Sequence, residues 1–328
     1  MALSPGLVAA LVSTETSPAA PLAILILGPT GSGKTALSLA LGERFDGEIV
    51  SCDSVAVYRG MDLGSAKPSP EEQRRIPHHL IDVASPDEVF TAGEYSRQAR
   101  AAMREITQRN RIPIVTGGTG LYLRALTMGL FPGPARQDDL RARLNHSHER
   151  HTPGWLHHLL QRLDPTSAQR IHANDVPKLI RAIEVCLAAK QPLSEALAQG
   201  SNPGRDPLTG FRLLRIGLNP PRQALYDHLN RRAANMFQFG LIEETRTLLE
   251  QYGSIQPLKS LGYLQARAVL DGAMTLEQAT ADAQQGHRNY AKRQLTWFRR
   301  EPEVRWIENF GDDPTTIDAA IELIQNQR

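Results

Sequence analysis

The feature that most constrains this chain is Gly28-Pro29-Thr30-Gly31-Ser32-Gly33-Lys34-Thr35, which satisfies G-x-x-x-x-G-K-[ST] at each required position and follows the apolar run Leu22 to Leu27. A short apolar segment bounded by Gly28-Pro29 suits a strand buried on both faces of a parallel sheet, and a helix is expected from about Gly33 to Phe45. In that setting the glycines let backbone amides curl around phosphate oxygens, the helix N-terminus adds positive potential, and Lys34 supplies a point charge. The hydroxyl of Thr35 suits Mg²⁺. The eight residues Gly28, Pro29, Thr30, Gly31, Ser32, Gly33, Lys34 and Thr35 are therefore expected to bind phosphate, without specifying which phosphate compound. The bland alternative is a fortuitous glycine-rich turn.

Further apolar segments at Glu48 to Cys52, Leu80 to Val83 and Ile112 to Val115 read as strands, with helical patterns between them, notably Thr91 to Arg109. That alternation predicts an α/β fold, a P-loop NTPase-like parallel sheet flanked by helices. Between Phe131-Pro132-Gly133-Pro134 and Asn202-Pro203-Gly204 the apolar runs vanish and the pattern turns helical. The expected division is a mobile tail over 1–21, a core over 22–131 and 207–328, and an inserted helical lobe over 132–206. Phe211 to Leu218 reads as a further strand, and Asn219-Pro220-Pro221 as the start of helices that run to about Phe298. Val304 to Glu308 and Thr315 to Gln325 read as a last strand and a last helix.

Composition narrows the class. The 328 residues are 41% hydrophobic and 22% charged, which suits a soluble globular protein and not a filament or a disordered chain. No run approaches the roughly 18 apolar residues of a membrane span. The formal charge of +2 does not by itself announce a polyanionic partner. Met1 to Pro21 lacks the Lys or Arg of a signal-peptide n-region. With only two cysteines, Cys52 and Cys186, a reducing cytoplasm is expected, both thiols acting as small core residues. His146, His148, His151, His157 and His158 crowd together without a recognisable ligand spacing, so an exposed face of the helical lobe is favoured over a metal site.

Three other features carry chemistry. Asp53 falls just past the second strand, on the sheet edge where doubly wound folds bind ligands; a helix cap or an Mg²⁺-bound loop carboxylate would fit the position as well. Leu225, Leu229, Arg232 and Met236 share one helical stripe, which puts a guanidinium on an apolar face and calls for an anion, either a ligand or a structural carboxylate. Gly286 to Arg300 holds Arg288, Lys292, Arg293, Arg299 and Arg300 with no acid, interleaved with Tyr290, Trp297 and Phe298. Such a block suits RNA phosphates and bases; a solvated basic face with packed aromatics is the other reading.

From these blocks the chain resembles the tRNA dimethylallyltransferase (tRNA isopentenyltransferase) family. The resemblance adds Asp53-Ser54 with Tyr58-Arg59-Gly60-Met61-Asp62, Gly64-Ser65-Ala66-Lys67-Pro68, Pro77-His78-His79-Leu80-Ile81-Asp82 and Gly117-Gly118-Thr119-Gly120-Leu121-Tyr122. It continues through Arg170-Ile171-His172, Asn174-Asp175, Arg181-Ala182-Ile183-Glu184, Gly262-Tyr263 and Lys292-Arg293-Gln294-Leu295-Thr296-Trp297, spanning about Leu22 to Trp306. No zinc-finger pattern follows, as in bacterial members. It implies Mg²⁺-assisted transfer of a dimethylallyl group from dimethylallyl diphosphate to the exocyclic amine of the adenosine 3′-adjacent to the anticodon, by a cytoplasmic monomer.

The resemblance further implies that the phosphate loop holds the donor's diphosphate, that Asp53 is the general base, and that Lys34, Thr35 with its Mg²⁺, and Arg232 act on the leaving group. Thr119 is implied to lie near the donor's bridging oxygen, although a helix N-cap is equally open to it. Contacts to the anticodon stem-loop of tRNA are implied at Asp53, Ser54, Val55, Ala56 and Thr119; at Arg141, Pro177, Lys178, Leu179, Ile180 and Arg181; at Lys259, Ser260, Leu261, Gly262 and Tyr263; and at Lys292, Arg293, Gln294, Trp297, Arg299 and Arg300. The chain departs from the family pattern at Cys52 for valine, Ser65 for threonine, and Lys178 and His228 for arginines. Other classes weighed are a small-molecule kinase on the same phosphate loop, an adenylate isopentenyltransferase using free nucleotide, and a non-catalytic RNA-binding module. A lid rich in arginine, expected of the kinase, is not evident.

Overall fold

The computed structural model describes residues 20–131, 133–199 and 206–327. Residues 1–19 of the tail expected over 1–21, Pro132 and the Asn202-Pro203-Gly204 turn lie outside the described residues. In chain order the elements are β1 Leu22–Leu27, α1 Lys34–Phe45, β2 Gly47–Ser51, α2 Pro70–Arg75, β3 His78–His79, α3 Ala92–Gln108, β4 Ile112–Thr116 and α4 Gly120–Met128. Then come α5 Asp138–Arg150, α6 Trp155–Leu163, α7 Pro165–Arg170, α8 Val176–Ala189, α9 Leu193–Gln199, β5 Arg212–Leu218, α10 Arg222–Gln238 and α11 Leu241–Tyr252. A 3₁₀ turn at Gln256–Lys259 precedes α12 Tyr263–Leu270, α13 Leu276–Phe298, β6 Val304–Ile307 and α14 Pro314–Gln325.

The chain divides into two compact units. The first, over 1–89, 101–119 and 209–328, carries a six-stranded sheet in the order β3-β2-β4-β1-β5-β6, every pairing parallel. Central β1 is buried along its whole length, as an unalternated apolar run requires. Ile24 and Ile26 pack with Leu37 and Leu41 of α1, Leu214, Ile216 and Leu218 of β5, and Ala320 and Ile324 of α14. This is the P-loop NTPase-like sheet with flanking helices. No helix among the described residues is long and apolar enough to cross a membrane.

One expected strand is displaced. Leu80 to Val83 is not a strand; the sheet's edge is the two-residue β3 at His78–His79, paired to Ile49 and Val50. Leu80 and Asp82 have φ of 64° and 56°, in the left-handed region that ends extended pairing. Leu80 is buried all the same, and its burial produced the strand-like pattern.

The second unit comprises residues 90–100 and 120–208, and so reaches beyond the lobe expected over 132–206. Tyr95 and Tyr122 stack at 4.4 Å, Ser96 Oγ donates to the Ala125 carbonyl at 2.8 Å, and Arg100 donates to the Leu126 carbonyl at 2.8 Å. These contacts bind the start of α3 to α4 within this unit. Its apolar centre gathers Leu144, Leu156, Leu160, Leu179, Ile180 and Ile183.

Candidate active site

The site lies in the first unit, beyond the carboxyl ends of β1, β2 and β4. After β1 the chain turns through Gly28 to Gly33 into α1. Gly33 has φ 85°, and a Cβ there would come within 2.6 Å of the Gly311 amide nitrogen, so only glycine fits. Lys34 opens α1 and its Nζ donates to the carbonyls of Gly28 and Pro29 at 2.9 and 2.8 Å. Burial lowers the Lys34 ammonium to about 7; Arg232 pushes the same way, while Asp53 and Cys52 oppose it.

Asp53 follows β2. Its Oδ1 accepts from the amides of Val55 and Ala56 at 2.8 and 3.2 Å, which fixes the carboxylate in a local turn. Thr119 supports this loop: its Oγ1 accepts from the Ser54 amide at 3.0 Å and donates to Ser54 Oγ at 3.2 Å. Thr119 therefore buttresses the Asp53 loop through Ser54, whereas the cavity wall from β4 is formed by Thr116, Gly117 and Gly118.

Two helices close the opposite side. On α10, Leu225, Leu229 and Met236 are buried as the stripe predicts, and Arg232 lines the cavity between them and the phosphate loop. Burial lowers the pKa of Arg232, and Asp53 is the charge that opposes this. On α13, Gln294 is buried and joins two walls: its Oε1 accepts from the Thr30 amide at 2.7 Å and its Nε2 donates to the Gly118 carbonyl at 2.8 Å. A Cβ on Gly118 would lie 2.2 Å from that Nε2. Tyr290 and Arg293 line the same wall, with the guanidinium 5.7 Å from the ring centre. Burial, with Asp53, raises the Tyr290 phenol to about 12. His228, His287, Lys259, Phe310 and Asp312 complete a cavity of about 840 Å³.

All the expected catalytic residues thus meet around one cavity except Thr119, which stands behind it. The expected RNA contacts separate more widely. Lys259, Lys292, Arg293, Arg299 and Arg300 are exposed and Trp297 is half-buried, an arrangement open to a polyanion. Gln294, Ala56 and Tyr263 are buried in the first unit, Gln294 and Ala56 lining the cavity and the Tyr263 hydroxyl donating to Glu244 at 2.5 Å. In the second unit Pro177 and Lys178 are exposed, whereas Leu179 and Ile180 belong to its core. Arg141 forks onto Glu184 at 2.8 Å from both Nε and Nη2, and Arg181 adds a contact at 2.6 Å, so both guanidinia serve an internal carboxylate.

His287 escaped the sequence reading. The buried side of α13 runs Ala279, Ala283, His287, Ala291, Gln294, Phe298, at helical spacing. Two polar residues on an apolar stripe give the same signal that marked Arg232.

Residues 56–301 match the family described as IPP transferase. A tRNA dimethylallyltransferase of Koribacter versatilis (strain Ellin345) is 60% identical over 306 residues, covering 93% of this chain and 98% of that protein. One from Solibacter usitatus (strain Ellin6076) is 50% identical over 303 residues, covering 92% and 97%. The crystal structure of the full-length tRNA isopentenylpyrophosphate transferase of Bacillus halodurans is similar at a TM-score of 0.68 and 36% identity, over 93% of this chain and 96% of that one. A eukaryotic dimethylallyltransferase acting on tRNA shares the fold at a TM-score of 0.73 and 23% identity, over 93% and 80%. With its phosphate loop, Asp53 and Arg232 on one cavity, and with likeness running along nearly its whole length, the chain belongs to the IPP transferase family.

Proposed function

We propose that this protein is a tRNA dimethylallyltransferase. It transfers the dimethylallyl group of dimethylallyl diphosphate to the exocyclic amine of the adenosine 3′-adjacent to the anticodon. The observation that carries this reading is that two cations, Lys34 and Arg232, line one cavity with Asp53. Two such charges side by side suit a multiply charged anion.

The diphosphate of the donor would occupy the loop Gly28 to Thr35, with backbone amides and Lys34 on its oxygens and Arg232 closing from α10. As the nitrogen attacks the allylic carbon, the carbon–oxygen bond breaks and its electron pair leaves with the diphosphate. Lys34 and Arg232 stabilise that growing charge in a site shielded from water. Asp53 takes the proton that the amine loses on becoming cationic. The exposed Lys292, Arg293, Arg299 and Arg300 would hold tRNA phosphates, and Lys259 at the cavity mouth would guide the acceptor.

No group of three or more His, Cys, Asp or Glu gathers into a metal centre among the described residues. Thr35 lines the cavity beside the expected phosphates, and a single hydroxyl with phosphate oxygens suits Mg²⁺, which keeps several waters and needs few protein ligands. Held by Thr35, Mg²⁺ would help neutralise the departing diphosphate.

The test is a transfer assay with labelled dimethylallyl diphosphate and Mg²⁺, offering unmodified tRNA or AMP, with labelled ATP in parallel. Label entering tRNA alone is expected. Label entering AMP would move the protein to free-nucleotide prenylation, and phosphate transfer from ATP without prenylation would overturn the reading.

A further inference from the structure

His287 is a buried imidazole, 5% exposed, on the cavity wall, and its Nε2 has no hydrogen-bond partner among the described residues. A buried polar atom left unpaired costs roughly 1–3 kcal/mol, and native folds rarely keep one without a use. Its place is fixed from both sides. One turn earlier, Gln284 donates to the Asn230 carbonyl at 3.1 Å, and the next residue, Arg288, donates to the Asn230 side chain. These bonds clamp α13 to α10 next to Arg232. Ala291, one turn later, packs on Leu225 and Leu229. The imidazole is thus presented, without freedom to swing away, to the space that Arg232 also faces. Burial, with Arg232 adding to it, lowers its pKa to about 4, so it meets a ligand uncharged. In the tautomer with Nε2 protonated it offers a hydrogen bond without crowding a further cation against Lys34 and Arg232.

We propose that His287 is a further donor-binding residue, whose Nε2 hydrogen-bonds the diphosphate beside Arg232 and fixes the orientation of the leaving group. The inference rests on the reading of the cavity as a diphosphate site. It explains the orphaned nitrogen as a contact completed by the ligand, and it explains why a polar residue interrupts the apolar stripe of α13.

Calorimetric titration of the full chain with inorganic diphosphate and with dimethylallyl diphosphate tests it. His287→Met keeps the volume and removes the donor; it should weaken both ligands roughly tenfold, the range for a hydrogen bond to a charged group. His287→Gln, with an N–H at similar reach, should regain most of that loss. Affinity for tRNA should be unchanged in both, and the melting temperature of the ligand-free protein should not fall, because Nε2 has no partner among the described residues to lose. Wild-type diphosphate affinity in His287→Met would overturn the inference. So would a loss shared by tRNA binding and melting temperature, which marks a packing role. Failure of the wild-type protein to bind diphosphate would remove instead the site reading on which it rests.

Discussion

Asp53 gives Oδ1 to the amides of Val55 and Ala56, so changing it to alanine would remove a turn anchor together with a base. Asp53→Asn separates the two, because asparagine keeps the accepting oxygen and loses the proton acceptor. Turnover should fall about a hundredfold or more, while donor and tRNA affinities stay near wild type in direct titrations. Lys34 supplies a second residue-scale prediction. With its pKa lowered to about 7, the ammonium is about half protonated in the free protein at neutral pH. An anion settling against it favours the charged form and raises that pKa. Diphosphate binding at pH 8 should therefore take up a proton, seen as heats that differ between buffers of different ionisation enthalpy, and affinity should decline as pH rises above 7. The effect on folding has the opposite sense. The unfolded chain holds this proton up to 10.5, so between about 7 and 10.5 the unfolded state binds more protons and stability rises with pH on this account.

At the scale of elements, α13 carries basic residues outward and a strut inward. Gln294 ties the Thr30 amide to the Gly118 carbonyl. Gln294→Leu takes the partner from the Thr30 amide and leaves the Gly118 carbonyl only the longer bond from the Tyr290 hydroxyl at 3.5 Å; it should cost about 1–3 kcal/mol in urea unfolding, with a fall in diphosphate affinity because the loop loses its brace. An unchanged donor affinity would confine Gln294 to stability alone. The same helix illustrates what sequence could reveal. The β1, phosphate loop and α1 block was legible because strand, turn and helix cap are local and the chemistry is carried by consecutive residues. Arg232 was legible because a charge on an apolar stripe is anomalous within one helix. Gln294 and Thr119 make hydrogen bonds to segments remote in sequence, which no spacing rule encodes. Glu48 makes the same point on β2, buried in the sheet and satisfied by His79, Arg109 and Arg111. At the sheet edge, Leu80 shows how burial alone can imitate a strand when left-handed residues end the pairing.

For the whole molecule, the two units hold different parts of the expected site. The cavity is lined by residues of the first unit alone, which also carries Lys292, Arg293, Arg299 and Arg300, whereas Pro177 and Lys178 lie in the second. Each unit holds a buried carboxylate kept ionised. For Glu184 burial alone would raise the pKa, but Arg141, the Gln137 amide and Arg181 overrule it and hold it at about 2. For Glu48 burial is likewise overruled, there by Arg109, His79 and Arg111, to about 2. Both folded-state values lie below the unfolded 4.5, so the stability they contribute is complete above about 4.5 and is lost as pH falls toward 2. Glu184→Gln tests whether the units can be uncoupled. The carboxylate is fully buried while Arg181 is 37% exposed, which places the cost near the low end for breaking a buried pair, about 3 kcal/mol. That loss falls on the helical unit. In a thermal scan the variant should show an early transition absent from wild type, and between that transition and the main one tRNA affinity should drop while diphosphate affinity holds. Were donor binding to fail at the same temperature as tRNA binding, the two units would melt as one cooperative block. That outcome would overturn the separate melting predicted for the helical unit.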